Sequence, residues 1–436
     1  MKIIGIIAEY NPFHNGHAYQ IKKVKEDLQA DFVVVAMSGD YVQRGTPAIL
    51  DKYARVKMAL SCGADLVIEL PVLWATSSAE HFAMAGVTLF DKMGCVNGIC
   101  FGAETDEIKL ISEIANVLVE EPASYQNVLS SYLKEGLAFP VARSRALCEY
   151  FSASDSVHAL TNSDMISSIL NEPNNILAIE YLKALKRRNS SLTPHVIKRE
   201  GAGYHEDKIF DTPNSDGINH APTASATAIR KKLEDISIEN GHQLAETFTI
   251  AMPRTSIEIL KEYLSIRPLI QANDFSSILG YRLLSTDADI LTDIGDSNSD
   301  IANRLFKNRM RFSSYEQFCE LCKSKDVTYT RMSRVLLHLI LGITNQDYLF
   351  GKELDYIPYL RILGFRKEAS ALLKELKFSS DVPVIAKLAD ASSFLGEDSM
   401  KMLKLDIFAA DLYEQICAYK RKGMSQSEYT HKMIRV

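Results

Sequence analysis

No run of roughly eighteen apolar residues occurs anywhere in the chain, so no segment is long enough to cross a bilayer as a helix. A secretory leader is missing too, because the apolar stretch Ile3 to Ala8 is short and Glu9 follows at once. The expectation is a soluble, cytoplasmic protein with no membrane partner. Cysteine is sparse: seven residues, scattered and odd in number, fit a reducing compartment better than a disulfide framework. Cys319 and Cys322 form a Cys-x-x-Cys, but it sits inside a helical pattern, and no second pair completes four zinc ligands. No protein metal site is therefore expected. Positive charge is outweighed, with 49 Lys and Arg against 55 Asp and Glu and a net charge of -6. That balance argues against indiscriminate binding to nucleic acid and leaves room for a local basic surface. Neither a fixed-period repeat nor a low-complexity stretch occurs, which disfavours a solenoid. Apolar residues are abundant, at 47% of 436, enough for two domains with their own cores.

The first twenty residues organise the rest. Lys2 to Ala8 reads as a buried strand, Asn11, Pro12 and Asn15 break it, and helical spacing resumes from His17 through Ile21, Val24 and Leu28. A strand, a turn and a helix start form a phosphate-binding corner, where free backbone N–H groups and the helix dipole favour anions. At that corner stand His14-Asn15-Gly16-His17, two imidazoles able to donate hydrogen bonds beside a glycine that admits a close ligand.

Further strands are expected at Asp31 to Met37, Asp65 to Leu70, Val96 to Phe101 and Thr193 to Lys198, alternating with helices. This is α/β patterning, a Rossmann-like parallel sheet. A polar loop spans Glu200 to Pro222, and a helix with hydroxyls in its first turn follows at Thr223 to Arg230. From about Leu244 the strands stop and helical periods continue, including Tyr356 to Leu363, so an all-α C-terminal domain is expected. The boundary falls between residues 1–240 and 241–436.

His-x-Gly-His after a first strand resembles the HIGH-type nucleotidyltransferase superfamily. Ser225-Ala226-Thr227 with Ile229-Arg230 is similar to its I-S-S-T-x-I-R motif, with Ala226 in place of the second serine. The runs EYNPFHNGH (Glu9 to His17), MSGDYVQRGTPA (Met37 to Ala48), DLVIELP (Asp65 to Pro71), FGAE (Phe101 to Glu104), EPNNILAIEYLKAL (Glu172 to Leu185) and SATAIR (Ser225 to Arg230) look like the bacterial tRNA(Met) cytidine acetate ligase family. The resemblance is strong over residues 1–235 and weaker beyond. It implies activation of acetate by ATP to acetyl-adenylate with release of pyrophosphate. Acetyl transfer to N4 of the wobble cytidine, in the anticodon region of elongator tRNA(Met), would follow.

Activation makes chemical sense, since acetate has no adequate leaving group until its carboxylate has attacked an α-phosphate. The catalytic assignment is His14 and His17 to the α-phosphoryl oxygens and Arg230, with Ser225 and Thr227, to the departing pyrophosphate, Mg²⁺ arriving with ATP. By the same resemblance the ATP site takes in Ile7, Ala8, Glu9, Tyr10, Asn11, Pro12, Phe13, His14, Asn15, Gly16, His17, Ala18, Tyr19 and Gln20, together with Gly102, Asn175 and Arg199.

Arg44, Lys52 and Arg55 follow the second strand, and each suits acetate, phosphate or RNA. For tRNA, the candidate surface is the helical region with Arg304, Lys307, Arg309, Arg311, Lys323, Lys325, Arg331 and Arg334, interleaved with Phe306, Phe312, Tyr315 and Tyr329. Two alternatives share the phosphate-binding residues: a small-molecule adenylyltransferase, and a tRNA-binding protein that has lost catalysis. The large helical region speaks against the first and the intact His14, Gly16, His17 and Arg230 against the second. Oligomeric state is not legible.

Overall fold

The computed structural model describes residues 1–105, 107–153, 163–198, 225–235 and 247–436. Contacts divide the chain into two compact units, one of residues 1–97 and 201–436, the other of residues 98–200. That division differs from a boundary near residue 240, because the C-terminal half packs with the first 97 residues.

The first unit opens with β1 (Ile3–Ala8), α1 (Asn15–Glu26), β2 (Phe32–Ser38), a small hairpin of β3 (Tyr41–Val42) and β4 (Thr46–Pro47), α2 (Lys52–Ser61), β5 (Leu66–Leu70), α3 (Val72–Ala75) and α4 (Ala79–Met93). β1, β2 and β5 pair in parallel, with Ile6 opposite Val35 and Val35 opposite Val67. Their near-continuous burial explains why they read as unbroken apolar runs, since both faces of a parallel sheet are covered. α4 lies tightly on β1: the Phe90 ring occupies the space where Gly5 would carry a Cβ, and Ile7 does the same at Gly86.

The second unit holds β6 (Gly98–Ala103), the helices α5 (Ile108–Glu120), α6 (Ala123–Lys134), α7 (Phe139–Ala153), α8 (Ser163–Asn171) and α9 (Pro173–Arg187), and β7 (Thr193–Lys198). β6 and β7 pair in parallel, while α5 packs on α9 and α6 on α7.

The chain returns to the first unit with α10 (Ala226–Asp235) and α11 (Arg254–Ile266). Helices continue with α12 (Ser276–Ser285), α13 (Ala288–Asp293), α14 (Ser299–Asn308), α15 (Tyr315–Cys322), α16 (Tyr329–Leu341) and α17 (Asn345–Glu353). Then come β8 (Leu360–Phe365), α18 (Ser370–Ser379), β9 (Val384–Ile385), α19 (Glu397–Lys420) and β10 (Ile434–Arg435). The C-terminal region is helical as expected, with one correction at Tyr356 to Leu363. Instead of a helix, β8 enters the sheet antiparallel to β5, and β9 and β10 pair parallel to it. A six-residue run buried at five of its positions, Arg361 included, carries no periodicity that separates strand from helix.

The link is reinforced by buried charge. Lys52 Nζ lies 2.7 Å from Glu69 and 2.6 Å from Glu428, and Arg361 lies 2.8 Å from Glu69 and 2.5 Å from Glu428. Lys52 is 1% exposed and Arg361 4%, so these charges have one another in place of water. Cys319 and Cys322 are buried on α15, and burial pushes their thiols up to about 12 and about 11, which keeps both protonated and unreactive. Among the described residues, no helix is long and apolar enough to cross a membrane.

Candidate active site

β1 ends at Ala8, and the chain turns through Glu9 to Phe13 before α1 begins. Tyr10 adopts a φ of 49°, a left-handed conformation that costs a residue with a Cβ roughly 1–2 kcal/mol. Burial holds it there: Tyr10 is 1% exposed, and its ring meets Phe13 edge-on at 4.8 Å and His17 at 4.7 Å.

His14 is the N-cap of α1. Its Nδ1 accepts from Gly16 N at 3.1 Å, while His17 Nδ1 accepts from His14 N at 3.2 Å, forming a reciprocal capping box built of imidazoles. The two rings stack, with centroids 3.6 Å apart. A nitrogen that accepts carries no proton, so both rings are neutral with hydrogen on Nε2. The same hydrogen bonds that start the helix leave Nε2 as the donor nitrogen of each ring.

One expectation changes here. The four N–H groups at the start of α1 are all engaged: Asn15 N with Ala251 O, Gly16 N with His14 Nδ1, and His17 N and Ala18 N with His14 O. An anion at this corner meets the helix dipole and the imidazoles, not bare backbone donors. The 250–251 segment also takes Asn15 Nδ2 on Ile250 O at 2.7 Å. Nothing in the sequence signals that contact across 235 residues.

α10 brings the second motif to the same turn. Arg230 Nη1 donates to Asn11 O at 2.8 Å and Nη2 to Thr227 Oγ1 at 3.1 Å, while Ser225 Oγ accepts from Ala228 N at 3.1 Å as a cap. Asn11 is held from the other side, its Oδ1 accepting from Ile49 N at 2.9 Å. Burial lowers the pKa of Arg230, the neighbouring Arg44 guanidinium lowers it further, and Glu9 and Glu234 oppose both. Burial likewise lowers Arg44, against the pull of Glu9. The imidazole pair and Arg230 therefore meet at one short turn.

Lys52 and Arg55, read as possible ligand contacts, are structural. Arg55 is fully buried and donates to the carbonyls of Glu9, Ser38, Gly39 and Leu50, tying β1 and β2 to the following loop. Lys52 belongs to the buried charge cluster, and its N–H donates to Asp40 Oδ1 at 2.7 Å. Burial raises Asp40 from an ordinary 3.8 to about 7. Lys52 Nζ pulls the other way, but from 3.7 Å, because Glu69 and Glu428 hold it more closely. Between these two values the unfolded chain is ionised at this position and the folded chain is not. Wild type will therefore lose stability relative to Asp40→Asn as pH rises from about 4 to 7, with no further change above, read from urea midpoints. A gap independent of pH would show that Asp40 is ionised throughout.

In the second unit, Asn175 is buried at the start of α9, and its Oδ1 accepts from Glu104 N at 2.9 Å and Thr105 N at 3.4 Å, fixing the end of β6. Glu104 returns the contact, its Oε2 accepting from Asn175 N at 2.9 Å. Gly102 pairs with Ile197 one position before the end of β6 and is half-buried. Arg199 lies outside the described residues.

The expected RNA surface divides. Tyr315 is buried with its hydroxyl on Gly45 O and Ser333 O, Arg334 pairs with Asp296 at 2.5 Å, and Arg331 caps Asp296 O. Arg309 stacks on Phe306 at 3.6 Å. Lys307, Arg311, Lys323 and Lys325 remain exposed, with Met310 79% exposed among them.

The HIGH Nucleotidyl Transferase family matches residues 1–428. The tRNA(Met) cytidine acetate ligase of Thermoanaerobacter sp. (strain X514) is 38% identical over 436 residues, all of both chains. The chain belongs to the tRNA(Met) cytidine acetate ligase family. The ligase of that name from Clostridium perfringens (strain ATCC 13124) is 40% identical over 95% of each chain. A crystal structure of Thermotoga maritima TmcAL bound with alpha-thio ATP covers all of this chain and 99% of that one, at 28% identity and a TM-score of 0.86. The apo form I of the same protein gives a TM-score of 0.88. Against the acetate ligase family, the His14–His17 pair and Arg230 were legible as motifs. The support from Arg55 and from the 250–251 segment was not.

Proposed function

We propose that the protein is an ATP-dependent acetate ligase acting on tRNA, forming acetyl-adenylate and then N4-acetylcytidine at the wobble position of elongator tRNA(Met). The observation that carries this reading is the stacked His14–His17 pair, with Arg230 on the carbonyl of Asn11 beside it. An acetate oxygen attacks the α-phosphorus, the bond from that phosphorus to the α,β-bridging oxygen breaks, and pyrophosphate leaves with the electron pair. His14 and His17 Nε2–H groups meet the α-phosphoryl oxygens, where charge builds up, and neither ring has to move a proton. Arg230, Thr227 and Ser225 face the departing pyrophosphate, with Arg199 a further candidate. Residues Ile7 to Gln20, with Gly102 and Asn175, are assigned to the nucleotide.

Among the described residues, no group of three or more His, Cys, Asp or Glu side chains is placed to hold a metal. Mg²⁺ fits this reading as an ion carried by the triphosphate, which it charge-neutralises. In the second half-reaction the cytidine N4 attacks the acetyl carbon, AMP departs and N4 loses one proton. Residues 1–240 are assigned to the first step, and 241–436 to tRNA, through Lys307, Arg311, Lys323 and Lys325. A tRNA substrate places the protein in the cytoplasm.

The test is incubation with ATP, labelled acetate and elongator tRNA(Met), followed by nucleoside analysis. Labelled N4-acetylcytidine at the wobble position is expected. Its absence from protein that binds ATP would sink the ligase reading and leave a small-molecule adenylyltransferase.

A further inference from the structure

We propose that Arg55 is a positioning residue for the adenylation step: its buried guanidinium holds the strand ends that lead into the Glu9–Asn11 turn and makes that rim receptive to anions, without touching a substrate. The inference rests on the ligase reading for its substrates and goes beyond it in giving a function to a residue outside the nucleotide motifs.

Asp51 caps α2, its Oδ1 accepting from Ala54 N at 2.8 Å, so Arg55 falls in the first turn of the helix. Side chains on a helix lean toward its N-terminus, and this one reaches back through Nε to Leu50 O at 3.1 Å. Its far end meets two strands. Nη1 donates to Glu9 O at 2.6 Å and to Ser38 O at 3.0 Å, and Nη2 donates to Gly39 O. Glu9 directly follows β1, and Ser38 is the last residue of β2. A second tie runs beside the first, because Asn11 Oδ1 accepts from Ile49 N, one residue before Leu50. The two ends of the turn, Glu9 and Asn11, are thus both fastened to the 49–50 segment, one through Arg55 and one directly. Arg230 grips the same turn at Asn11 O.

Ligands of parallel sheets bind in the crevice outside the carboxyl ends of the strands, where bare carbonyl oxygens repel a triphosphate or a carboxylate. Arg55 engages three such oxygens, on Glu9, Ser38 and Gly39. The residue is 0% exposed and every group it hydrogen-bonds is a neutral carbonyl, so its charge is solvated by dipoles and not cancelled at contact distance by a carboxylate. The field of such a cation reaches the neighbouring turn through a medium that screens it less than water does. Geometry and charge can be separated by substitution. Lysine keeps the charge but has three donors and no planar fork, so it satisfies at most three of the four carbonyls; glutamine keeps two donors and no charge.

The experiment uses the full chain with Arg55→Lys and Arg55→Gln, and with Lys57→Gln as a control on the same helix, where the ammonium lies at the surface with Glu262. The folded fraction of each variant is taken from Trp74 fluorescence. ATP and adenosine binding are measured by equilibrium dialysis, and acetate-dependent ATP–pyrophosphate exchange is expressed per folded molecule. Arg55→Gln is expected to bind ATP on the order of 10-fold more weakly with adenosine unchanged, the effect of one charge removed at short range through protein. Arg55→Lys should bind ATP as the wild type does yet exchange about 100-fold more slowly, the result of a catalytic group moved out of place. Lys57→Gln should match the wild type throughout. Variants that only lower the folded fraction, with wild-type constants per folded molecule, overturn the proposal, and so do equal losses for ATP and adenosine. Should Arg55→Gln not fold, Arg55→Lys decides: a wild-type exchange rate per folded molecule overturns the positioning role. Exchange without acetate dependence in the wild type would instead sink the ligase reading, and the ratio of ATP to adenosine binding would still judge Arg55.

Discussion

Replacing His14 with asparagine will leave α1 capped and nearly abolish acetate-dependent pyrophosphate release. Asparagine is among the best N-cap residues, so its Oδ1 can take over the acceptance from Gly16 N that His14 Nδ1 now provides. What it does not reproduce is the Nε2–H at the far side of the ring. His17→Ala removes the other donor and also half of the capping box, since His17 Nδ1 accepts from His14 N. Each variant is expected to lose about 10²- to 10³-fold in turnover, the usual effect of deleting one preorganised donor at a developing oxyanion. Stability should fall by less than about 1 kcal/mol in His14→Asn and by about 1 kcal/mol in His14→Ala, which lacks any cap. Rates come from pyrophosphate release with saturating ATP and acetate, and stability from urea midpoints. Because the rings stack 3.6 Å apart and share one network, the double variant should lose much less than the product of the two single losses. Wild-type turnover in His17→Ala would mean that the α-phosphate lies elsewhere.

These two histidines also show where sequence is a sufficient guide. A strand, a turn and a capped helix are local structures, and the residues that form them are also the ones proposed to face the ligand, so four consecutive positions carried the motif. Arg230 was readable for a related reason, because its hydroxyl neighbours Ser225 and Thr227 mark a helix start. Lys52 and Arg55 misled because a cation after a strand reads the same whether it meets a ligand or a carbonyl. Only the tertiary arrangement puts Arg55 on four backbone oxygens. β8 was lost for a different reason: its partner β5 lies almost three hundred residues away, and pairing at that distance leaves no trace in local periodicity. The same distance hid the meaning of Glu428, an acid near the C-terminus that completes a cluster around Lys52 and Arg361.

That cluster carries the largest expected stability effect. Lys52→Met keeps the length and most of the volume of the side chain, but it leaves Glu69 and Glu428 with Arg361 as their remaining close cation. Breaking a buried ion pair from one side costs roughly 3–5 kcal/mol, since the stranded charge keeps its desolvation penalty and loses its partner. The chain's one tryptophan, Trp74, is fully buried in the same unit, so its fluorescence during urea unfolding reports the loss directly. Adding Glu428→Gln should restore part of the stability, because it removes a carboxylate that no longer faces Lys52. The effect also has a pH signature. Burial would raise Glu428, but Lys52 and Arg361 overcome it and hold the carboxyl below its ordinary 4.5. A depressed carboxylate stabilises the fold above its unfolded value, and that contribution is lost as pH falls through the folded one. The gap between wild type and Lys52→Met should therefore be widest above about pH 4.5 and shrink below it. A loss under about 1 kcal/mol at neutral pH would mean that Arg361 alone neutralises the cluster, and that Lys52 serves the loop carrying Arg44 through its backbone N–H on Asp40 rather than through its charge.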